Sequence, residues 1–320
     1  MAINRRFLYA GLFLVGLGGV LVAVDLTAVN TTTLAAALRL WPLAFVAIGA
    51  GIAFRRSRFA LVAGVLGAMI PGLVLGGGLA IAPRHGFDCG SGDATAETTT
   101  RNGTFATAGT VFVDTSCGSI SIGTQHGNGW QLTSSNPLGR TPDVQVDGDQ
   151  LSIDSTEGDG WDWLDNGRDT WNLTLPTSTL EHVAVVVNAG RATAALPDAN
   201  IGTLALTGNA AEIVVDATTA SLAELDGSLD FGRMAIQLPQ RGSYSGAIRI
   251  NAGELRLCVP FGLGLHVDFA GSAREVRING LQTDARVWEN EGYASATSRA
   301  ELSVKINFGS VAINPIGGCK

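Results

Sequence analysis

A 21-residue repeat in the second half of the chain restricts its fold more than any other feature. A corner motif of Asn or Asp, then Ala or Phe, then Gly or Ala recurs at residues 188–190, 209–211, 230–232 and 251–253, always 21 residues further on. Each corner leads into alternating apolar and polar residues, the pattern of a β-strand. A fixed period near 20 residues is typical of coils that stack on one another. We therefore predict an all-β domain, a single-chain β-solenoid with coils of roughly 21 residues, with a β-sandwich as the alternative.

Charge along the repeat provides a check on this prediction. In stacked coils, residues 21 apart lie on neighbouring strands, about 4.8 Å from each other. The outward positions alternate in sign, as a stack in register favours: Arg191, Glu212, Arg233 and Glu254. The register continues at 272–274, and the motif returns at 307–309 after an insertion. Glu275 breaks the alternation, and Arg256 and Arg277 would stack like on like.

The first 84 residues have a different character, because three long apolar segments follow one another there. A bilayer crossing needs about 20 apolar residues, and each segment approaches or exceeds that length. We predict three transmembrane helices near residues 7–24, 35–54 and 59–82. A cleaved signal peptide is the alternative for the first segment, but no small-residue cleavage site ends it. Glycines in the spans, such as Gly16 and Gly72, would let the helices approach closely.

The distribution of charge predicts how the chain is oriented. Residues 1–84 carry a net charge of +6, so the rest of a chain with a total of −7 carries −13. Arginines precede the first span and separate the second from the third, whereas the loop at 25–34 has none. The positive-inside rule then places the N-terminus in the cytoplasm and the C-terminal domain outside the membrane. An acidic body also argues against nucleic acid as a partner.

These features divide the chain into a multi-pass membrane part and an extracytoplasmic part. We predict a transmembrane domain at 1–84, a linker rich in Gly, Ser and Thr at 85–104, and the β-solenoid domain at 105–320. All four cysteines lie after residue 84, and none belongs to a Cys-x-x-Cys pair. Disulfides are expected in such a compartment. A pair of Cys89 and Cys117 is our preferred bridge because both flank the entry of the domain; buried free thiols are the alternative.

Both parts resemble a known family. The N-terminal arginine pair, the glycine-rich run at 11–21, Trp41-Pro42 and the Ile-Gly-Ala-Gly run at 48–51 resemble the transmembrane region of LiaI/LiaF-like cell-wall-stress proteins. The recurrent Asn-Ala-Gly and Leu-Pro strands resemble the toast-rack, or adhesin-type, β-solenoid domains attached to such anchors. The resemblance implies a bacterial envelope-stress regulator that acts on the histidine kinase of a two-component system. A membrane-tethered adhesin-like binding module is the alternative. The resemblance implies no catalytic residue.

The segment at 157–171 is the most unusual part of the sequence. It combines clustered Asp residues with Trp161, Trp163 and Trp171. Exposed tryptophans could contact a protein partner or a glycan. The alternative is a loop that caps the open end of the first coil, since the ends of a solenoid need covering. The Asp spacing does not match a calcium loop, so we predict no metal site there. Trp130 and Trp288 are expected in the core or at a cap.

The sequence offers no sign of an enzyme. The four histidines are expected to be structural, and no nucleophile elbow or His-Glu-x-x-His motif accompanies them; they are His85, His126, His182 and His266. The glycines fall at corners, not between a strand and a helix, so no phosphate loop is predicted. We expect no cofactor. The predicted partners are the lipid bilayer and a membrane histidine kinase or another component of the envelope.

Overall fold

A computed structural model describes residues 98–156, 168–271 and 273–319, with short helical pieces at 11–16, 18–19, 65, 68–70 and 72–73. The chain divides into two compact units, Met1–Gly86 and Phe87–Lys320. None of the helical pieces described in the first unit is long and apolar enough to cross a membrane. The predicted span at 35–54 lies outside the described residues, and those at 7–24 and 59–82 are described only in part, so the three spans stay a prediction.

Two helical pieces of the first unit meet at a glycine. A Cβ atom at Gly16 would lie 3.0 Å from the carbonyl oxygen of Met69 and 3.3 Å from the amide nitrogen of Leu73. The absence of a side chain therefore lets the piece at 11–16 approach those at 68–70 and 72–73 closely. On the same pieces, the side chains of Leu14 and Val15 are largely exposed.

The second unit is an all-β domain. Its described residues form the following strands, in chain order: β1 (Thr98–Thr104), β2 (Gly109–Gln125), β3 (Gly129–Ser135), β4 (Asp143–Asp147), β5 (Gln150–Asp154), β6 (Asp169–Pro176), β7 (Thr179–Ala195), β8 (Asn200–Asp216), β9 (Ser221–Gln237), β10 (Tyr244–Cys258), β11 (Leu263–Ala270), β12 (Ala273–Ile278), β13 (Leu281–Thr283), β14 (Val287–Glu289) and β15 (Ser298–Ile313). A 3₁₀ turn at Tyr293–Ser295 precedes β15.

Parallel strands one repeat apart build the centre of this domain. Thr179 of β7 pairs with Asn200 of β8, which pairs with Ser221 of β9, and the same 21-residue step continues from β9 into β10. The predicted 21-residue register is therefore the observed one. Parallel pairing of successive coils is the arrangement of a solenoid, whereas the alternative, a β-sandwich, is assembled from antiparallel strands.

Each long strand changes direction at the predicted corner motif. Gly190, Gly232 and Gly309 have φ angles of 130°, 124° and 136°, a backbone region that residues with a side chain rarely adopt. A Cβ atom at Gly232 would also lie 2.0 Å from the carbonyl oxygen of Ala211 on the preceding coil. Glycine at these corners thus permits both the turn and the close stacking of coils.

Stacked apolar side chains fill the interior as one continuous core. One column runs through Val187, Gly208, Leu229 and Ile250. Gly208 leaves room in this column, since a Cβ atom there would lie 2.8 Å from a methyl carbon of Leu229. The glycine therefore lets the leucine of the next layer pack closely in this column.

The order of the last coils differs from the prediction. We expected the coil at 272–274 to follow the coil at 251–253, because it continues the 21-residue period. In the structure β15 lies between β10 on one side and β11 and β12 on the other, so Ala252 pairs with Phe308, 56 positions away. The last long strand is thus an interior member of the stack.

This insertion resolves the like-charge contacts that the simple register would create. Glu254 and Glu275 both pair with Ser310 of β15 and are separated by it. Each glutamate instead contacts the arginine two residues later on its own strand: Arg256 lies 2.8 Å from Glu254, and Arg277 lies 2.6 Å from Glu275. Where the simple register holds, Glu212 contacts Arg191 and Arg233 on the adjacent coils, as predicted.

Short antiparallel strands close both ends of the stack. At the first end β3 and β6 pair antiparallel, β1 pairs with β3, and β4 pairs with β5. At the other end β14 covers β11, and β13 covers β12. These outer strands are short or rich in polar residues, features that oppose edge-to-edge association.

The last seven residues of the predicted linker at 85–104 form the strand β1 in the structure. Threonine-rich composition suggested a linker because the segment has almost no apolar side chains. An edge strand needs little apolar content, however, and threonine favours extended backbone. Linker residues 85–97 lie outside the described part of the chain.

Candidate functional site

A groove opens on the outer surface where β15 is inserted between β10 and β11. Its volume is about 440 Å³. The floor is formed by the small residues Ser245, Gly246 and Ser303, and the side chains of Asp268, Glu289, Glu301, His266 and Tyr293 surround it. We call this feature the acidic groove. It exists because small residues on β10 and β15 stand beside longer ones on β11 and β14.

The backbone register brings four of these residues into one row. Ser245 pairs with Glu301, Glu301 with His266, and His266 with Glu289, so the row crosses β10, β15, β11 and β14. Outward-facing side chains at paired positions are direct neighbours. The row joins residues separated by up to 56 positions in the sequence.

His266 lies between two carboxylates. Its Nδ1 atom is 2.7 Å from Oε1 of Glu289, and its Nε2 atom is 3.5 Å from Oδ2 of Asp268. The hydrogen bond with Glu289 and the nearby negative charge raise the pKa of the His266 imidazole, because both favour the protonated ring. Both ring nitrogens are thereby directed at carboxylates.

Tyr293 forms the opposite wall of the groove. Its hydroxyl donates a 2.9 Å hydrogen bond to Glu301, which raises the pKa of the tyrosine hydroxyl. The ring lies 5.7 Å from that of His266, centroid to centroid. Arg299 supports the ring from outside, with its guanidinium carbon 5.6 Å from the ring centroid and hydrogen bonds to the carbonyl oxygens of Ala294 and Ala296.

A glycine allows the turn that carries Tyr293 to sit close to β11. A Cβ atom at Gly264 would lie 3.0 Å from the Cα atom of Tyr293 and 2.8 Å from the Cβ atom of Ala296. Asn290 fixes the same segment, because its side chain accepts from the amide of Leu265 and donates to the carbonyl oxygen of Leu263. Tyr293 is therefore held in position by the fold.

Acidic side chains dominate the lining of the groove. Three carboxylates meet around it, and the face of the Tyr293 ring attracts positive charge. No serine, threonine or cysteine in the described part of the chain is hydrogen-bonded to His266, so no nucleophile and base pair is assembled there. Within residues 98–156, 168–271 and 273–319, no three His, Cys, Asp or Glu side chains are placed to hold a metal ion.

Neither His182 nor His126 lines the groove. His182 projects from β7, and its ring lies 5.5 Å from that of Phe112 on the neighbouring β2. His126 is exposed in the turn after β2, and His85 lies outside the described residues. The expectation that all four are structural thus overlooked the environment of His266.

The cysteines form a bridge that the sequence did not predict. Cys258 and Cys319 are joined by a disulfide with a Cα–Cα distance of 5.9 Å. Cys117, at the corner of β2, is also disulfide-bonded. Cys89 lies outside the described residues, so the pairing of Cys89 with Cys117 stays a prediction.

The tryptophans of the 157–171 segment do not share one environment. Trp171 lies in β6 and is only 1% exposed, so it belongs to the core and is not available to a partner. Trp161 and Trp163 lie outside the described residues, where the capping and partner hypotheses still apply to them. Trp130 is buried in β3, and Trp288 of β14 packs partly against the core at the end of the stack.

The two ends of that segment are tied together by a half-buried carboxylate. Asp169 accepts hydrogen bonds of 2.7 Å from the side chain of Asn136 and 2.8 Å from the hydroxyl of Ser155. Burial raises the pKa of the Asp169 carboxyl, and these hydrogen bonds oppose the shift. The chain therefore leaves and rejoins the stack at one fixed corner.

Fold and site together define an all-β domain of stacked coils with an acidic groove on its surface. No family model matches the chain, and no curated protein matches it.

Several solved structures are similar in fold. A proposed cell adhesion protein from Clostridium sporogenes is 15% identical, with a TM-score of 0.47 over 69% of this chain and 100% of its own. A proposed adhesin from Bacteroides fragilis is 13% identical, with a TM-score of 0.36 over 68% of this chain and 97% of its own. Another, from Parabacteroides merdae, is 13% identical, with a TM-score of 0.31 over 69% and 97%. These sequence and structural similarities are too low to indicate a function, which must be argued from the residues of this chain.

Proposed function

We propose that this protein is a membrane-tethered, extracytoplasmic binding module without enzymatic activity. The acidic groove carries the proposal, because it gathers Asp268, Glu289 and Glu301 around His266 and Tyr293 without assembling a nucleophile or a metal site in the described residues. A group that bears positive charge fits this chemistry best. A basic segment of an envelope protein is the partner of that kind that we propose.

Two further observations support the proposed location of the domain, outside the cytoplasm and tethered to the membrane. Disulfides form and persist in oxidising compartments, and Cys117, Cys258 and Cys319 are all disulfide-bonded. The apolar N-terminal segments and the charge of +6 over residues 1–84 support a tether with a cytoplasmic N-terminus. We propose the lipid bilayer as the environment of that tether.

The finer hypothesis, a regulator of a membrane histidine kinase, derives from the sequence resemblance alone and stays a prediction. Replacing residues 1–84 with an unrelated three-span anchor separates it from the binding module. A regulator that signals through its spans should lose its effect on envelope-stress transcription after the exchange. A binding module should retain its partner, as measured by crosslinking in intact cells.

Binding of a small polyamine to the full chain in detergent tests the groove directly. We expect Glu289→Gln and Asp268→Asn each to weaken the binding of spermine about threefold, the effect of losing one exposed charge pair. Glu181→Gln, which removes an exposed carboxylate at the start of β7, is the matched control. If the affinity for spermine fell equally in all three variants, the binding would reflect general charge attraction. That result would refute the proposal that the acidic groove is the binding site.

A further inference from the structure

The corner of the coils carries two exposed phenylalanines among alanines. Across the strands, Ala189 pairs with Ala210, Ala210 with Phe231, Phe231 with Ala252, and Ala252 with Phe308. The Phe231 and Phe308 side chains are 59% and 67% exposed. Each ring thus stands beside alanine positions that leave space next to it. An exposed aromatic ring beside such a space can stack with a ligand.

A ladder of hydrogen bonds between side chains runs beside this corner. Asn188 donates to Asp114 over 2.7 Å, and Asn209 donates to Asn188 over 2.6 Å. A second run begins at Asp230, which accepts from Asn251 over 2.6 Å. Asn307 then donates to Asn251 over 2.8 Å. Each amide thus donates toward the coil before it and presents its oxygen toward the coil after it.

The ladder is interrupted between Asn209 and Asp230. The Oδ1 atom of Asn209 is directed toward the next coil, where Asp230 can only accept hydrogen bonds. No described residue donates to Asn209 Oδ1, and none forms an ion pair with Asp230. Asn209 and Asp230 thus place two acceptors on adjacent strands, which lie about 4.8 Å apart. Neither supplies the donor that joins the two side chains at every other step of the ladder.

We propose that this step binds an arginine side chain of a protein partner. A guanidinium over Ala210 would lie about 4.8 Å from Phe231, one strand spacing away and within the range of a cation–π contact. Its planar fork of donors can bridge Asn209 and Asp230 while its face meets the ring, which a lysine ammonium cannot do equally well. The charge of −13 on residues 85–320 attracts such a segment.

Phe308 supplies a control within the same molecule. It has the same exposed ring and the same alanine neighbour, but the ladder beside it is intact because Asn307 donates to Asn251. If the ring alone were sufficient, Phe308 would bind as Phe231 does. The proposal therefore assigns the specificity to the combination of Phe231 with the interrupted ladder.

Peptide binding to the full chain in detergent tests this assignment. We expect labelled hexa-arginine to bind about fivefold to tenfold more tightly than hexa-lysine, from one desolvated cation–π contact with its hydrogen bonds. Phe231→Ala should bring the two affinities together, and Phe308→Ala should preserve the preference. Asp230→Asn should also remove the preference, because the new amide donates to Asn209 and completes the ladder without loss of stability.

Other outcomes would overturn the proposal. Equal affinities for the two peptides in the unmodified chain would do so, as would a preference that survives both Phe231→Ala and Asp230→Asn. Glu289→Gln, which impairs the acidic groove, should leave the arginine preference unchanged. A preference that disappears in that variant instead would belong to the groove and would refute the site at Phe231.

Discussion

Removal of the Cys258–Cys319 disulfide should reveal how strongly the last long strand is held in the stack. The bridge joins the end of β10 to a residue six positions beyond β15 and spans 61 residues. That loop contains β11 to β15, including the strand that is inserted between β10 and β11. We consider the double substitution Cys258→Ala and Cys319→Ala, because alanine avoids placing a hydroxyl at the buried Cys319.

The expected magnitude follows from the length of the loop. In the chain-entropy model, closing a loop of about 60 residues restricts the unfolded chain enough to stabilise the folded state by about 4 kcal/mol at 25 °C. The folded contacts of β15 with β10 are unaffected by the substitution. The double variant should therefore unfold at a clearly lower urea concentration, with a steeper dependence on denaturant because its unfolded chain is less compact.

Urea titration monitored by tryptophan fluorescence measures this change. The variant is preferable to chemical reduction, because a reductant would also open the disulfide at Cys117. A loss below about 1 kcal/mol would refute the reasoning, since the unfolded loop must then already be restricted. A separate early transition confined to β15 would also refute it, because the magnitude assumes that the domain unfolds as one unit.

Three further substitutions test other parts of the structure. Gly232→Ala should lower the free energy of unfolding by at least about 2 kcal/mol, because of the φ angle of this residue and the carbonyl next to it. Gly123 has open space around it, so Gly123→Ala should change the free energy of unfolding by less than about 0.5 kcal/mol. Equal urea midpoints for the two variants would contradict the role of the corner glycine. Glu212→Gln should cost about 1 kcal/mol at low salt and less at high salt, and a loss independent of salt would exclude ion pairing as its cause. An NMR titration should give His266 a pKa above its ordinary value, and Glu289→Gln should lower it. Because the folded pKa is raised, the stability from His266 is fully present below the ordinary pKa of histidine and is lost as the pH rises through the raised value.

The repeat could be predicted because its register is local. Residues 188, 209, 230 and 251 are separated by one coil each, so from β7 to β10 each strand pairs with the next strand of the chain. The alternation of Arg191, Glu212 and Arg233 adds an electrostatic signal that agrees with the spacing. A local period and a consistent charge pattern are sufficient to define such a stack.

The position of β15 could not be predicted from the period. Its partner on β10 lies 56 residues away, and the 21-residue spacing favours the coil at 272–274 instead. One signal pointed toward the true order. Glu254 with Glu275 and Arg256 with Arg277 would have stacked as like charges, and the neutral residues Ser310 and Ala312 separate them in the structure.

The acidic groove was missed for the same reason. Ser245, His266, Glu289 and Glu301 become neighbours only after β15 is inserted and β14 covers β11. In the sequence, each of them is an ordinary polar residue on an alternating strand. The unusual Trp and Asp segment attracted the functional hypotheses, yet Trp171 is a core residue.

The insertion of β15 also sets the order in which the domain can be completed during synthesis. The ribosome produces β11 to β14 before residues 298–313 exist, so β11 and β12 lack their partner strand in the finished stack while β15 is still absent. They must wait beside an exposed strand edge, which is the surface most prone to pairing with other chains. Export of the chain before the stack closes would keep that edge away from other newly made chains in the cytoplasm.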